Sequence, residues 1–124
     1  MTRFLHTSDW QLGQVRHYLS PRNDGDDPQA RFTQARIDAI RTIGGLARQR
    51  ECEFVVVAGD VFETQNVSTT IVARSLKAIE SIGLPVYLLP GNHDSLEPGN
   101  IWERITLPSN ATLLNNTDPI RVAD

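Results

Sequence analysis

Three short polar clusters hold the side chains of this sequence that are best suited to chemistry. The clusters are "SDWQ", "GDVF" and "PGNHD", and their chemically useful members are Asp9, Gln11, Asp60, Asn92, His93 and Asp94. Carboxylate, amide oxygen and imidazole groups are the ligands that Mn²⁺, Mg²⁺, Fe²⁺ and Zn²⁺ accept in proteins. An aspartate that bridges two such ions gives the arrangement used for phosphoester hydrolysis, because the ions hold the phosphate and make hydroxide from water near neutral pH.

Each cluster also has an ordinary structural explanation. A Gly-Asp pair after a strand is usually a turn, "PGNHD" consists largely of turn-forming residues, and Asp9 alone is compatible with a cap. The metal-site hypothesis depends on position, because each cluster directly follows a predicted strand. At one edge of a parallel sheet the carboxylates would repel each other, and divalent cations would remove that cost.

The sequence predicts a β-α-β-α-β-(α)-β order, which is typical of an α/β fold with parallel strands joined by right-handed crossovers. The predicted strands are 3–7, 54–58 ("FVVVA"), 86–89 ("VYLL") and 111–114 ("ATLL"). The continuous β-branched and apolar run at 54–58 is typical of a strand covered on both faces. Ligands of such sheets bind outside the carboxyl ends of the strands, which is where the three clusters stand.

Two longer helices are predicted between these strands. Asp27 as the cap and Pro28 at the first helical position start the first helix. Its apolar stripe is expected to contain Phe32, Ala35, Ala39, Ile40, Ile43, Leu46 and Ala47. Ser68 caps the second helix, and Gly83 ends it. Its inward residues are expected to be Ile71, Val72, Ser75, Leu76, Ile79 and Ile82. The polar stretch 16–28 is predicted to be a surface loop, and 101–105 a short helix.

The totals bound the class of protein. The chain has 124 residues, of which 40% are hydrophobic and 22% charged, as in one ordinary globular domain. The formal net charge of −3 argues against a generally basic protein that coats nucleic acid, but leaves room for a local basic groove. The single cysteine, Cys52, excludes an internal disulfide. No apolar run has the length of a signal-peptide core or a membrane span, so the expected location is the cytoplasm.

In register, the motifs "HTSDWQLG", "VVVAGDVFE" and "PVYLLPGNHD" resemble the first three motifs of the calcineurin-like metallophosphoesterases. In detail they are similar to those of the nuclease component of SbcCD (Mre/Rad50-type) complexes, which repair DNA double-strand breaks. The resemblance covers nearly the whole chain. It implies a DNA exo/endonuclease with two divalent metal ions, most readily Mn²⁺, and with DNA, an SbcC/Rad50-type ATPase and a second copy as partners.

The same resemblance implies a role for each matching residue. Asp9 would bind the first ion, and Asp60 would bridge both ions. Asn92 would bind the second ion. His93 would stabilise or protonate the leaving group, with Asp94 placed to orient the imidazole.

Two departures from the family pattern concern metal binding. The first motif of the family is Asp-x-His, and its third position here is Gln11, whose neutral amide oxygen is a weaker metal ligand than imidazole. Gln11 is either a feature of a divergent member or a change that disables the enzyme. The later histidine ligands of the family are absent, since the chain has only His6, His17 and His93. We expect His6 to pack in the core and His17 to be solvated in the loop.

The resemblance also predicts that residues 1–124 are the N-terminal part of a single nuclease domain. The family fold is a two-sheet sandwich with flanking helices, so a chain with the first sheet alone would expose apolar sheet surface. We expect association through that surface, with a second copy or with further sequence. The family tends to dimerise through the helices after the second and third motifs, which correspond here to 71–82 and 101–105.

Several further side chains have two interpretations each. Four arginines near the first motif either contact phosphate or are simply solvated: Arg16, Arg22, Arg31 and Arg36. Trp10 either packs over the site or lies in the core, and Trp102 is expected to pack the short helix.

Three functions remain open on the sequence alone. The first is a Mn²⁺-dependent DNA nuclease, and the second is a phosphoesterase of the same fold that acts on nucleotides or phosphoproteins. The third is a degenerate module that binds a partner or DNA without cleaving it, which Gln11 and the missing histidines favour. For these 124 residues alone we expect negligible turnover.

Overall fold

A computed structural model describes residues 1–16 and 18–122 of the chain. Its elements in chain order are β1 (Phe4–Thr7), α1 (Pro28–Gln49), β2 (Phe54–Ala58), α2 (Thr69–Ser81), β3 (Val86–Leu89), a 3₁₀ helix (Ile101–Arg104) and β4 (Ala111–Leu113). The predicted order is confirmed. The expectation for His17 falls outside the described residues.

The four strands form one parallel sheet in the order β1-β2-β3-β4. In the register, Leu5 pairs with Val55, Val55 with Val86, and Val86 with Ala111. All four strands therefore end at the same edge of the sheet, so the α/β fold class predicted from the sequence is confirmed. The loops that follow the first three strand ends are the ones that carry the three polar clusters.

The described helices cover one face of this sheet. Val55, Val57, Val86 and Leu88 point to that face and are fully buried. They share one core cluster with the buried residues of both helices, which include Ile37, Ile40, Ala47, Ala78 and Ile79. The prediction that 54–58 is covered on both faces holds only at Phe54, which is buried, because Val56 and Ala58 on the same second face are only half-buried.

The second face of the sheet is open and aromatic. The rings of Phe4 and Phe54 stack 5.0 Å apart, and Tyr87 meets Phe54 edge-on at 5.8 Å. Phe4 is 52% exposed. His6 also points to this face and is exposed, so the expectation of a core histidine is wrong. The reason is the alternation of the strand, which puts Leu5 towards the helices and His6 away from them.

Helix α1 begins as the sequence predicts. The carboxylate of Asp27 accepts a hydrogen bond from Ala30 N at 3.1 Å, and Pro28 is the first helical residue. Its buried stripe differs from the prediction and consists of Ile37, Ile40, Gly44 and Ala47. Most of the predicted stripe lies on an adjacent face that lines a groove of about 360 Å³ beside Asp9 and Trp10. The helix thus has two apolar stripes, and only one of them packs on the sheet.

Helices α1 and α2 approach each other closely at the C-terminal end of α2. Gly44 lies so near Ile82 that a Cβ atom at position 44 would be 3.0 Å from the Cα atom of Ile82. The guanidinium of Arg48 donates to the carbonyl oxygens of Ser81 at 3.1 Å and Ile82 at 2.5 Å. A cation that binds the last carbonyls of a helix satisfies orphan acceptors and interacts favourably with the helix dipole. Arg48 therefore ties the two helices together.

Replacing Arg48 by methionine should lower the free energy of unfolding by about 1–2 kcal/mol, because methionine keeps most of the packing but cannot donate these hydrogen bonds. Urea denaturation of the two proteins measures the difference. Arg41→Met is the matched control, since the contact of Arg41 within residues 1–16 and 18–122 is an exposed one, 3.6 Å from Asp38. An effect of Arg48→Met no larger than that of the control would contradict this role.

Helix α2 also matches its prediction. The side chain of Ser68 accepts a hydrogen bond from Ile71 N at 3.3 Å, and the buried residues of the helix are Val72, Ser75, Ala78 and Ile79. Ile71 and Leu76, predicted to face inward, are half-buried. Across residues 1–16 and 18–122, neither α1 nor α2 combines the length and apolar character needed to cross a bilayer.

Candidate metal centre

The loops after β1 and β2 run side by side beyond the end of the sheet. Asp9 N donates to Gly59 O at 3.0 Å, and Gln11 N donates to Asp60 O at 2.9 Å. The pairing continues with a parallel bridge between Leu12 and Phe62. The first two polar clusters are therefore held in register by backbone hydrogen bonds, with their aspartates on adjacent loops.

The loop after β3 is joined to the same place by the side chain of Asp60. His93 N donates to Asp60 Oδ1 at 3.0 Å. Gly91 packs so closely on Asp60 that a Cβ atom at position 91 would overlap its Oδ1 and N atoms. The structure thus brings all three clusters together at the carboxyl edge of the sheet, as the parallel order predicts.

Gly91→Ala should lower the free energy of unfolding by about 1–3 kcal/mol, because the new methyl group can fit only if the loops separate. Urea denaturation, with the slope m checked for constancy, gives the value. Gly45→Ala is the control, since a Cβ atom there meets nothing within 4 Å and alanine favours a helix. Equal stability of Gly91→Ala and the parent protein would show that the loops are not held this tightly.

The backbone at the site is strained. Asp9, Gln11 and Asp60 have φ angles of 55°, 49° and 50°, in the left-handed region that residues with a Cβ atom rarely adopt. Each such residue costs about 1–3 kcal/mol, and strain of this kind is concentrated at functional sites. Only one further non-glycine residue in the described ranges, Glu51, has a positive φ. Three of these four positions are thus candidate site residues predicted from the sequence.

Asp94 is fully buried and holds two loops together. Its Oδ2 atom accepts a hydrogen bond from Phe62 N at 3.1 Å, and its Oδ1 atom accepts one from Gly91 N at 2.6 Å. Its carbonyl oxygen accepts from Trp102 Nε1 at 2.7 Å. The expectation that Asp94 orients the His93 ring is wrong, because both carboxylate oxygens bind backbone amides. Asp94 instead fixes the loops on which Asp60 and Asn92 stand.

The ring of His93 is held by Glu63, a residue that the sequence interpretation missed. Nδ1 of His93 lies 2.8 Å from the carbonyl oxygen of Glu63 and 3.7 Å from its Oε1 atom. The carbonyl can only accept, so Nδ1 carries the proton of the neutral ring and Nε2 remains available. Glu63 stands three residues after Asp60 in "GDVFE", but nothing in that stretch indicates that it contacts His93.

The arginines near the first motif have partners within the protein. Arg36 donates from Nε and Nη2 to the carbonyl oxygen of Trp10 at 3.0 and 2.6 Å. Arg22 and Arg31 both lie beside the carboxylate of Asp26. Three of the four arginines proposed for phosphate contacts are thus engaged in structure. Arg36 also holds the loop that carries the strained residues.

Both tryptophans lie in the core. Trp10 is 7% exposed and donates from Nε1 to the hydroxyl of Thr7 at 3.1 Å, so it does not lie over the site as a lid. Trp102 is equally buried, and its ring centroid lies 5.3 Å from that of Phe62. Trp102 packs against the loop of the second cluster as well as in its own 3₁₀ helix.

By their chemistry, three side chains at this edge are suited to a divalent metal ion. Asp9 and Asn92 are exposed, and Asp60 is half-buried with Oδ2 not used by His93. Hard oxygen donors of this kind suit Mg²⁺ and Mn²⁺. Between residues 1 and 122, His17 excepted, no three His, Cys, Asp or Glu side chains form a group that could hold an ion. Asp9, Asp60 and His93 thus share this edge of the sheet without forming such a group, and Asn92 adds an amide oxygen beside them.

Gln11 is less well placed than these three residues to bind an ion. Its Oε1 atom accepts a long hydrogen bond of 3.4 Å from Gln14 Nε2, which turns this neutral oxygen towards Gln14. The residue is half-buried, and its backbone is fixed by the hydrogen bond to Asp60 O. The weakness predicted at this position therefore has a second cause besides the neutral charge of an amide.

Proteins named as nucleases and as a metallophosphoesterase are similar to this chain. The SbcD component of the SbcCD nuclease of Escherichia coli is 30% identical over 115 residues, which are 90% of this chain and 26% of that protein. "DNA double-strand break repair protein Mre11" of Haloferax volcanii is 30% identical over 115 residues, 86% of this chain and 23% of that protein. "Uncharacterized metallophosphoesterase YhaO" of Bacillus subtilis is 25% identical over 94% of this chain.

The chain spans about a quarter of the length of these curated relatives. The calcineurin-like phosphoesterase family model matches residues 2–122, which includes all three polar clusters and every strand of the sheet. Since that match extends over nearly the whole sequence, the chain belongs to the calcineurin-like phosphoesterase family.

Proposed function

We propose that residues 1–124 form the N-terminal part of a nuclease domain that hydrolyses phosphodiester bonds of DNA, as an exo/endonuclease in double-strand-break repair. The observation that supports this most is the hydrogen bond from His93 N to Asp60 Oδ1, which joins a potential proton donor to a potential metal ligand. The names of the relatives from Escherichia coli and Haloferax volcanii support DNA as the substrate.

In this proposal Asp9, Asp60 and Asn92 hold divalent metal ions, two in number and most readily Mn²⁺. When bound, such ions neutralise phosphate charge and supply hydroxide from water near neutral pH. The protein contributes the rigid frame, because paired loops hold Asp9 and Asp60 in place and Asp94 fixes the third loop. Rigid placement keeps ligands and substrate in reacting geometry throughout turnover.

His93 is proposed to stabilise or protonate the leaving oxygen. Its Nε2 atom is the available nitrogen, since Nδ1 faces the carbonyl oxygen of Glu63. The side chain is 46% exposed, so a substrate can reach it. The proton that Nε2 would donate is the one that it carries in the imidazolium form, while Nδ1–H stays directed at the carbonyl oxygen of Glu63. The Oε1 atom of Glu63 lies 3.7 Å from Nδ1 on the same side of the ring.

The test of the function uses the longest protein that the reading frame of this chain encodes, with Gln11 and with Gln11→His. Each is incubated with Mn²⁺ and a phosphodiester reporter, a phosphomonoester reporter or duplex DNA ends. Cleavage of DNA ends supports the nuclease. Preference for the small reporters supports a phosphoesterase acting on small substrates. Binding without cleavage by both versions supports the non-catalytic module that the amide at position 11 favours.

For the 124-residue chain alone we expect negligible turnover of a phosphodiester reporter, because its donors make up only part of a two-metal site. Release of nitrophenol from bis(p-nitrophenyl) phosphate with added Mn²⁺ measures it. A control without protein sets the background. Turnover clearly above that background would contradict the expectation.

Association is proposed at two surfaces. One is the groove of about 260 Å³ between α2 and the 3₁₀ helix, whose apolar lining includes Val72, Leu76, Ile101 and Ile105. Most of its lining residues belong to the segments 71–82 and 101–105 that we propose for a homodimer. The other is the open aromatic face with Phe4, which a second copy or further sequence would cover. Light scattering measures the molar mass of the protein as a function of concentration. The mass of a monomer at every concentration would contradict self-association through either surface.

An SbcC/Rad50-type ATPase and a cytoplasmic location complete the proposal. The ATPase is implied by the family resemblance and supported by the relative named as a subunit of the SbcCD nuclease, whereas the location is proposed from the sequence alone. Co-purification of the full-length protein with an ATPase of that type tests the partnership. Purification of the protein without such an ATPase would contradict it.

A further inference from the structure

A chain of glutamines connects the candidate site to the start of α1. Gln14 Nε2 donates to Gln11 Oε1 at 3.4 Å, and Gln29 Nε2 donates to the carbonyl oxygen of Gln14 at 3.0 Å. Gln29 also donates to the Thr33 hydroxyl at 3.0 Å and accepts from Arg16 N at 2.8 Å. The backbone of Gln14 adds a hydrogen bond from its N atom to Gln11 O at 3.2 Å. The segment 11–14 is thus fixed from both sides.

Gln14 is an unusual residue for its position. It is 8% exposed, and its Oε1 atom is buried without a hydrogen-bond partner among residues 1–16 and 18–122. A buried amide with an unpaired oxygen lowers stability, and an apolar side chain of similar size would avoid that cost. Stability therefore does not explain a glutamine here. The one side chain that its amide contacts in the described structure is Gln11.

In the structure, the contact with Gln14 is made by the oxygen end of the Gln11 amide. An amide group has an acceptor oxygen on one side and a donor NH₂ on the other. With Oε1 turned to Gln14, the two N–H donors of Gln11 Nε2 remain, and they have no partner among the described residues. The backbone N of Gln11 is hydrogen-bonded to Asp60 O, so the residue stands on the same paired loops as Asp9 and Asp60, the candidate metal ligands beside which a phosphate would bind.

We propose that Gln11 is a hydrogen-bond donor to an anionic phosphoryl oxygen of the substrate, held in this orientation by the buried Gln14, and not a metal ligand. Gln11 is then a binding residue and Gln14 a positioning residue. This rests on the proposed phosphoester substrate, but not on DNA or on turnover. It assigns metal binding at this edge to Asp9, Asp60 and Asn92 alone.

Two affinities separate this proposal from a ligand role for Gln11. Calorimetry on the 124-residue protein measures the Kd of Mn²⁺, and then the Kd of inorganic phosphate at saturating Mn²⁺. Gln11→Leu should weaken phosphate binding roughly tenfold, the usual value of one hydrogen bond to a charged group. It should change the Kd of Mn²⁺ by less than about twofold, whereas Asn92→Leu should weaken Mn²⁺ binding severalfold as the matched control.

Substitutions at Gln14 test the orientation of the Gln11 amide at a residue that is not proposed to contact Mn²⁺ or phosphate. Gln14→Met keeps the volume but removes the donor, and it should weaken phosphate binding severalfold while the melting temperature is unchanged or higher. Gln14→Glu offers only acceptors, so it should turn the amide of Gln11 and direct Oε1 to the site. That variant should weaken phosphate binding and tighten Mn²⁺ binding. Opposite changes in two affinities are not expected of a merely structural residue.

The side-chain NH₂ signals of Gln11 in ¹⁵N NMR give a direct readout, and Gln11→Leu assigns them by their loss. They should shift on addition of phosphate in the presence of Mg²⁺ and stay in place with Mg²⁺ alone. Weaker Mn²⁺ binding by Gln11→Leu, or unchanged phosphate binding, would overturn the proposal. Neither readout measures hydrolysis, so an absence of phosphodiester turnover would count against the proposed function and not against this role of Gln11.

Discussion

Replacing Asp94 by leucine is expected to lower the free energy of unfolding by about 3–5 kcal/mol, the largest effect on stability of any substitution considered. The substitution removes two charge-assisted hydrogen bonds and leaves the N–H groups of Phe62 and Gly91 without their acceptor. Because the residue is fully buried, water cannot take the place of the carboxylate. Urea denaturation followed by circular dichroism measures the change.

Two companion variants locate the cause. Asp94→Asn keeps the shape and one acceptor, so it should cost less than Asp94→Leu. Asp38→Asn is the exposed control, since Asp38 makes a surface ion pair of 3.6 Å with Arg41 and should change stability by less than about 0.5 kcal/mol. If Asp94→Leu proved as stable as the parent protein, the carboxylate would not be what holds the two loops.

His93→Gln is expected to lower phosphodiester turnover by about 10²–10⁴-fold in the longest encoded protein, because proton transfer by a positioned imidazole contributes a factor of this size. The loss should appear in kcat, with KM changed little, since the residue acts on the leaving group and not on substrate binding. The Kd of Mn²⁺ should stay within about twofold, because the imidazole is not among the proposed ligands. Steady-state kinetics and calorimetry provide the three values.

Substrates with different leaving groups supply the control for this prediction. A nitrophenol leaving group needs no proton, so the defect of His93→Gln should shrink on a nitrophenyl ester and persist on DNA. Glu63→Gln should give a smaller defect of the same kind, since the main contact to Nδ1 comes from the backbone carbonyl. An equal loss on both substrates would show that His93 contributes binding or structure, not a proton.

The sequence predicted the strand order and the positions of the clusters because local chemistry determines both. Asp27 and Ser68 are strong caps, and each side chain accepts a hydrogen bond from the first turn of its helix. The run at 54–58 is too short and too β-branched for a helix. Parallel order then brings every strand end to one edge, which is why Asp9 and Asp60 could be grouped from their positions in the chain.

Periodicity alone could not decide which side of α1 packs on the sheet, because the helix has two neighbouring apolar stripes. One is buried against the sheet, and the other lines the groove beside Asp9. Gly44 belongs to the buried stripe and lies close to Ile82, and a glycine adds no hydrophobic signal to the pattern. His6 was misplaced for a related reason. The sequence of a strand of only four residues does not indicate which face of the sheet the helices cover and which is open.

The contacts of Asp94 and Glu63 could not be predicted from the sequence either, because each joins two loops that are about thirty residues apart in the chain. The hydrogen bond of Asp94 to Phe62 N spans 32 residues, and that of His93 to Glu63 spans 30. A carboxylate next to a histidine suggested a local pair. The fold instead uses the carboxylate to bind backbone amides and leaves the imidazole to a residue of the neighbouring loop.

The two buried tryptophans make the site observable by fluorescence without any added label. Trp10 stands between the strained residues Asp9 and Gln11, and the indole of Trp102 is hydrogen-bonded to Asp94 O. The chain has no other tryptophan. Trp10→Phe and Trp102→Phe would therefore separate the emission of the first loop from that of the third. Metal or phosphate titrations could then be followed one loop at a time.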